Sequence, residues 1–199
     1  MRNFEKCIKR VFDVVMSLVL IIVLSPLMGV ICLINFFQKD TSVLFSHERR
    51  GKDSKPFRIY KFQTMRNNTP NCATSELENP EKYITPMGAI LRKTSLDELP
   101  QLFNILKGDM SFVGPRPLIS SETRAHRLRL EYGVYEFRPG LTGWAQINGR
   151  DDISVVKKVR LDKEYIDRFS LLFDLKILLR SVKVVAKKEG FQEGMHHRR

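Results

Sequence analysis

The chain has 199 residues, a hydrophobic share of 43% and a formal net charge of +12. The length allows one ordinary domain with an appendage and the apolar share allows a core, while the excess of Lys and Arg calls for an anionic partner: phospholipid, nucleotide or nucleic acid. Three cysteines (Cys7, Cys32, Cys72) and four histidines (His47, His126, His196, His197), none at metal-ligand spacing, exclude a disulfide framework and a zinc module and point to a reducing compartment.

The first element is an uncharged run from Val14 to Phe37, "VVMSLVLIIVLSPLMGVICLINFF". As a helix it is about 36 Å long, against about 30 Å for a bilayer core. Arg2, Lys6, Lys9 and Arg10 precede it, as in a signal peptide. The run is too long for an h-region and no small-residue cleavage site follows, so it is expected to stay in the protein. Two features favour a re-entrant helix-hairpin. Pro26, near the centre, removes a backbone hydrogen bond and kinks a helix, and Ser25 beside it can bond the freed carbonyl. Both flanks are basic (Lys39, Arg49, Arg50, Lys52 and Lys55 follow), and the positive-inside rule puts both on the cytoplasmic side only if the chain returns. Each arm would be about 12 residues, roughly 18 Å, about one leaflet deep. A single kinked span is the alternative. Asp13, at the mouth of the run, needs water or a basic partner such as Arg10.

After Lys39 the pattern turns mixed. "SVLFSHERRG" and "FRIYKFQTM" read as short strands joined by the turn "GKDSKP". A polar, proline-punctuated loop of about twenty residues follows, long enough to be a lid or binding loop. "MGAILRKTS" is helical and breaks at Thr94-Ser95. "LDELPQLFNILKG" starts again, with Leu99, Leu102, Phe103 and Leu106 on one face and Gly108 as its stop. "SSETRAHRLRLEYG" reads as a basic, exposed helix and "RPGLTGWAQINGR" as turn-rich. "SVVKKVRLDKEYIDRF" and "SLLFDLKILLRSVKVVAKK" read as two more helices. In the last, Leu171, Leu172, Leu175, Leu178, Leu179 and Val182 form a stripe beside Lys176, Arg180, Lys183, Lys187 and Lys188. Such a helix lies on an anionic membrane surface or packs on a core.

The stretch with chemical potential is "TSLDELPQLFNILKGDMSFVGPRP". Ser95 followed by Glu98 fits a capping box, and Asp97 as N-cap would put Pro100 in the first helical turn. Either way Asp97 and Glu98 sit at a helix start. The dipole there favours an ionised Asp97, suited to nucleophile or metal-ligand duty rather than to general acid. The plain reading of such a pair is a cap. The surroundings add to it: Arg116 is bracketed by two prolines, and Arg92 and Lys93 lie just upstream. Arg138 and Arg150 flank glycine turns whose amides can approach a ligand, and Lys61 stands in the aromatic strand. Together they make a diphosphate site.

"SLDELPQLFNILKGDMSFVGPRP" and "RPGLTGWAQINGR" resemble the two signature blocks of the bacterial sugar transferases, the monotopic polyprenyl-phosphate phosphoglycosyl transferases. "YKFQTM" resembles a third block, with Gln63 where a basic or small polar residue is usual. The apolar hairpin with its central Ser-Pro resembles the family's membrane element. The match covers nearly the whole chain and corresponds to the minimal, stand-alone form. The resemblance implies that Asp97 attacks the β-phosphate of a nucleoside diphosphate sugar, with uridine the usual nucleoside, and that nucleoside monophosphate is released. The phosphosugar-aspartate then passes its group to polyprenyl (undecaprenyl) phosphate. It implies Mg²⁺ held at Glu98 and Asp97, phosphate contacts at Arg92 and Arg116, a nucleotide contact at Arg150, and a membrane kink at Ser25 and Pro26. It further implies the inner (cytoplasmic) membrane, the catalytic domain on the cytoplasmic face, and the first membrane step of a glycoconjugate pathway such as capsule, O-antigen, exopolysaccharide or a glycoprotein glycan.

The expected fold is α+β and mostly helical, with residues 1–38 as the membrane-embedded re-entrant helix and 39–199 as the catalytic domain holding a small β-element and amphipathic interfacial helices. The expected partners are a nucleotide sugar, polyprenyl phosphate and anionic membrane lipid. The competing reading, a non-enzymatic basic adaptor that recruits nucleic acid or an acidic protein, is disfavoured because the cations are dispersed, so no nucleic-acid partner is expected. The oligomeric state stays open, a homodimer being one form it could take.

Overall fold

Helix α1 (Arg2–Phe37) carries the apolar run and is helical throughout, Pro26 included. The structure, a computed structural model, describes residues 2–70, 77, 79–149 and 153–187. Two arms with a break between them are not seen, and the reason is local. Pro26 has no N–H for the carbonyl of Ile22, and Ser25 Oγ donates to that same carbonyl at 2.8 Å. Among the described residues α1 alone is long and apolar enough to cross a membrane.

One face of α1 rests on the rest of the protein along its length. Asp13, Ser17, Ile31 and Asn35 are buried, whereas Val15, Ile22, Val23, Val30 and Leu33 are exposed. The N-terminal half is held by Lys9 Nζ on Asp174 Oδ2 at 2.5 Å and by Arg10, which donates to the carbonyls of Ile105 and Leu106 at 2.7 and 2.9 Å. Asp13 takes a different partner from the Arg10 expected: its Oδ1 accepts the Phe112 amide at 3.1 Å. Beyond Pro26, Ile31 packs with Phe62 and Leu91, and Asn35 Nδ2 donates to the carbonyl of Gln63 at 3.1 Å. Each of those three buried apolar side chains contributes about 1.5–3 kcal/mol.

Strands β1 (Leu44–Arg50) and β2 (Pro56–Phe62) form the expected antiparallel hairpin, with Phe45 opposite Lys61 and Arg49 opposite Phe57. Helix α2 (Pro86–Thr94) is capped by Thr85, whose hydroxyl accepts the Gly88 amide at 2.9 Å. A Cβ on Gly88 would stand 2.0 Å from the carbonyl of Thr64, so α2 and the exit of β2 touch through backbone. Ser95, at φ +58°, ends α2 in the left-handed region. Helix α3 (Gln101–Lys107) starts only after Pro100 and stops at Gly108, also left-handed. It buries Leu102 and Ile105, while Phe103, expected on the apolar face, is exposed. The buried side of α3 instead carries Gln101 and Asn104 beside Leu102 and Ile105, which turns Phe103 to solvent. Asn104 clamps α3 to β2, donating to the carbonyl of Arg58 at 2.7 Å and accepting the Tyr60 amide at 3.1 Å.

The two signature blocks also hold a pair of strands not anticipated, β3 (Ser111–Val113) and β4 (Gly140–Thr142), which run parallel. Glycine permits this junction. A Cβ on Gly140 would meet the Gly114 nitrogen at 2.1 Å, and one on Gly143 the Gly114 carbonyl oxygen at 2.1 Å. These glycines therefore serve chain-to-chain packing rather than exposing amides to a ligand. Helix α4 (Thr123–Glu131) is mostly exposed, as its charge suggested, and buries Ala125 and Arg129. A short α5 (Trp144–Ile147) leads to α6 (Val155–Asp167), capped by Ser154, and to α7 (Leu171–Lys187). The core gathers Ile59, Ile105, Met110, Phe112, Tyr165, Phe169, Phe173 and Ile177. In α7 Phe173 and Ile177 face this core, and Leu172, Leu175, Leu179 and Val182 of the expected stripe stay exposed. That side of α7 is not a core face.

Candidate active site

Asp97 and Glu98 lie in a single 3-10 turn, Leu96–Glu98, between α2 and α3. Neither capping arrangement forms. Ser95 is in the left-handed region and makes no side-chain cap, and Pro100 rather than Asp97 occupies the position before α3. A side chain caps best from an extended backbone, which Ser95 does not have. The carboxylates are thus free of helix duty. Lys61, reaching across from β2, places its Nζ 2.6 Å from Glu98 Oε1 and 3.6 Å from Asp97 Oδ2.

Their environments push the two acids apart. Burial raises Asp97 above the usual carboxylate range, with Lys61 and Arg92 pulling it back and the Glu98 charge adding to the rise. Burial pushes Glu98 upward too, but Lys61 and then Arg116 outweigh it and hold it below the usual range. The expectation that a helix start would favour an ionised Asp97 is not met: Asp97 sits in a 3-10 turn ahead of α3, and burial outweighs the cations around it. Two neighbouring acids of opposite shift can divide labour, the more basic one reacting and the other holding charge.

Arg116 stands exposed on a rigid support. Pro115 gives its carbonyl to the Gly140 amide at 2.9 Å. The carbonyl of Arg116 itself accepts Arg129 Nη1 at 2.7 Å. Arg129 is in turn gripped by Asp162, whose Oδ2 accepts Nε at 3.0 Å and Nη2 at 2.6 Å. Main-chain pairing of Arg50 with Leu118 ties the end of β1 to the same segment.

The structure therefore brings Lys61, Arg92 and Arg116 to the pair. It does not bring Arg138, whose Nε donates to the carbonyl of Gly108 at 2.8 Å, at the far end of α3. Arg138 binds there because a helix C-terminus offers unpaired carbonyls. Arg150 lies outside the described residues. Arg49 was read only as a flanking charge. Its place beside Arg116, with Pro117 above it, depends on the β1 register and on no local motif. Arg129 and Asp162, 33 positions apart, were not singled out either.

The family described as "Bacterial sugar transferase" matches residues 4–188. The chain belongs to that family. It is an enzyme of the transferase class. The uncharacterized sugar transferase EpsL of Bacillus subtilis is 40% identical to it over 195 residues, 95% of this chain and 92% of that protein. The undecaprenyl-phosphate galactose phosphotransferase of Salmonella typhimurium is 36% identical over 208 residues, 95% of this transferase and 42% of that protein. The UDP-glucose:undecaprenyl-phosphate glucose-1-phosphate transferase of Escherichia coli is 35% identical over 185 residues, 89% and 40% of the respective chains. The transferase thus spans nearly all of the Bacillus relative and about two-fifths of the other two.

Proposed function

We propose that this transferase moves a sugar phosphate from a nucleoside diphosphate sugar, a uridine one by analogy with the Escherichia coli relative, to undecaprenyl or a similar polyprenyl phosphate. The observation that carries the proposal is the partly buried Asp97–Glu98 pair bridged by one ammonium, with Arg92 and Arg116 nearby. Cations around two acids suit an anionic substrate, since they offset the repulsion between a carboxylate and a diphosphate.

Asp97 is the nucleophile in this reading. An Oδ oxygen bonds to the β-phosphorus of the donor and the bond to the bridging oxygen breaks. Nucleoside monophosphate leaves with that oxygen, and the phosphosugar stays on Asp97. An oxygen of polyprenyl phosphate then attacks the same phosphorus, the Asp97 carboxylate departs, and polyprenyl diphosphate sugar forms. Arg116 and Arg92 hold phosphoryl oxygens, most strongly as charge moves to the leaving phosphate. The upward shift of Asp97 favours it over Glu98 as the attacking group, because the more basic oxygen is the better nucleophile.

Mg²⁺ fits the donor set. Among the described residues no three His, Cys, Asp or Glu side chains cluster, so the site offers two carboxylates. Mg²⁺ is commonly bound by one or two carboxylates together with substrate phosphates. Glu98, with Asp97, would hold it where the Lys61 ammonium now reaches. Bound there, it supplies Lewis-acid neutralisation of phosphoryl charge.

A lipid-borne acceptor requires a site beside a membrane. Both halves of α1 are fastened to one body, through Lys9, Arg10 and Asp13 on one side of Pro26 and Ile31 and Asn35 on the other. A perpendicular span would drag that body into the bilayer, whereas entry by the exposed apolar face of α1 alone leaves both flanks on one side. The exposed leucines of α7, next to Lys176 and Lys183, support the same cytoplasmic-face placement. Such a step would open assembly of an exopolysaccharide or related glycan.

The test is a single turnover without acceptor. Full-length enzyme in detergent with Mg²⁺ and UDP-sugar should release UMP and gain the mass of one phosphosugar. Asp97→Asn should do neither, while Glu98→Gln should slow both. An adduct of undiminished yield on Asp97→Asn would sink the nucleophile assignment.

A further inference from the structure

A guanidinium that the function above does not use lies near Arg116 and Glu98. Arg49 is half-buried on β1, and its Nε is shut off from solvent with no hydrogen-bond partner. Among the described residues its side chain makes one hydrogen bond, a long one from Nη1 to the carbonyl of Pro117 at 3.5 Å. Among the described residues neither Arg49 nor Arg116 forms an ion pair. Yet the two guanidinium groups are close enough to repel. Burial first and Arg116 second lower the pKa of Arg49 to about 10, with Glu122 and Glu98 acting against them.

The hairpin register shows why Arg49 faces the site. Arg49 and Phe45 are four residues apart on β1 and share a face of the hairpin, and Phe45 pairs directly with Lys61, so Arg49 and Lys61 project from the same face. Lys61 already touches both carboxylates. About 13 Å of strand separates the two positions, a span that long side chains narrow from both ends. A half-buried cation beside a second cation is unfavourable for the protein alone, and an anion between them offsets the repulsion.

We infer that Arg49 and Arg116 form a two-arginine clamp for a substrate phosphate group, with the Nε edge of Arg49 as a direct ligand. The clamp rests on the phosphosugar-transfer reading and extends it to a residue outside both long signature blocks. The bound group is a phosphate ester or diphosphate oxygen. It belongs either to the nucleotide donor or to the polyprenyl phosphate acceptor, and binding to each is measured separately. A planar fork suits such oxygens, whereas a lysine offers only a point charge.

The experiment compares wild type, Arg49→Met and Arg49→Lys, as full chains in detergent, for binding of UDP and of a short polyprenyl phosphate, with thermal melting of each protein alone. Arg49→Met should weaken one of the two probes by about tenfold or more and Arg49→Lys by less. Which probe weakens assigns the clamp to donor or acceptor. The ligand-free melting temperature of Arg49→Met should hold or rise, because a half-buried charge beside a second cation has gone. Unchanged binding of both probes to Arg49→Met overturns the clamp and leaves the transfer reading standing. A sharply lowered ligand-free melting temperature in both variants also overturns it, in favour of a structural arginine. A wild type that binds neither probe removes the transfer reading and the clamp together.

Discussion

The Lys61 ammonium lies 2.6 Å from Glu98 and also reaches Asp97, so one cation from a β-hairpin holds two neighbouring acids of a 3-10 turn together. Without it, two carboxylates would face each other across a partly buried site.

Lys61→Met is therefore expected to lower UMP release on the order of a hundredfold, the scale of losing one preorganised electrostatic donor. Its melting temperature should fall as well, since the substitution leaves two neighbouring carboxylates without their shared cation. A Lys61→Met enzyme with wild-type turnover would show that the bridge is incidental.

The Asp162–Arg129 pair, both residues buried, carries the main-chain carbonyl of Arg116. Asp162→Asn should lower the melting temperature, because the amide gives up the charge-assisted bonds that hold Arg129. Replacing both partners by apolar residues should recover much of that stability but not the rate, since the Arg116 segment loses its brace. If the apolar double variant turns over like wild type, the brace has no part in catalysis.

The same pair gives a pH dependence of defined sign. Burial raises Asp162 above its ordinary value against the pull of Arg129 and Lys158. The folded state then holds a proton that the unfolded state has released. Stability from this group is fully present below the unfolded pKa and lost as pH rises through the higher, folded one. The melting-temperature gap between wild type and Asp162→Asn should widen as pH falls from neutral into that window. A gap that narrows on acidification would mean that pairing outweighs burial.

Both flanks of α1 should lie on one side of the membrane. Cys7 is exposed and serves as a native probe of the first flank. With Cys32 and Cys72 replaced by serine, Cys7 and a Lys39→Cys substitution should both resist an impermeant thiol reagent on intact cells and both react in inverted vesicles. Opposite accessibility of the two would establish a span.

Gly140→Ala should prevent stable folding, since its Cβ would lie 2.1 Å from a main-chain nitrogen that cannot retreat. Overpacking of this kind costs about 3 kcal/mol or more. Soluble expression and melting of the variant in detergent provide the check; a fully folded Gly140→Ala enzyme would mean that β3 and β4 separate easily.

Where a signal was local, the sequence was sufficient. The break at Ser95, the stop at Gly108, the β1–β2 hairpin and the hydroxyl of Ser25 beside Pro26 all depend on backbone geometry within a few residues. The long signature stretches likewise fixed the family and marked Asp97 and Glu98. Tertiary structure alone decided the rest. The β3–β4 pairing joins segments about thirty residues apart through backbone that only glycine admits, so no periodicity announces it. Arg138 went to the end of α3 because unpaired carbonyls there attract a guanidinium, and charge counting cannot distinguish that from a phosphate. The helix-start explanation for Asp97 gave way to a 3-10 turn, and its proton affinity is set by burial and by cations from β2 and α2. A pKa depends on what surrounds a group in space, and that neighbourhood exists only once distant segments have met.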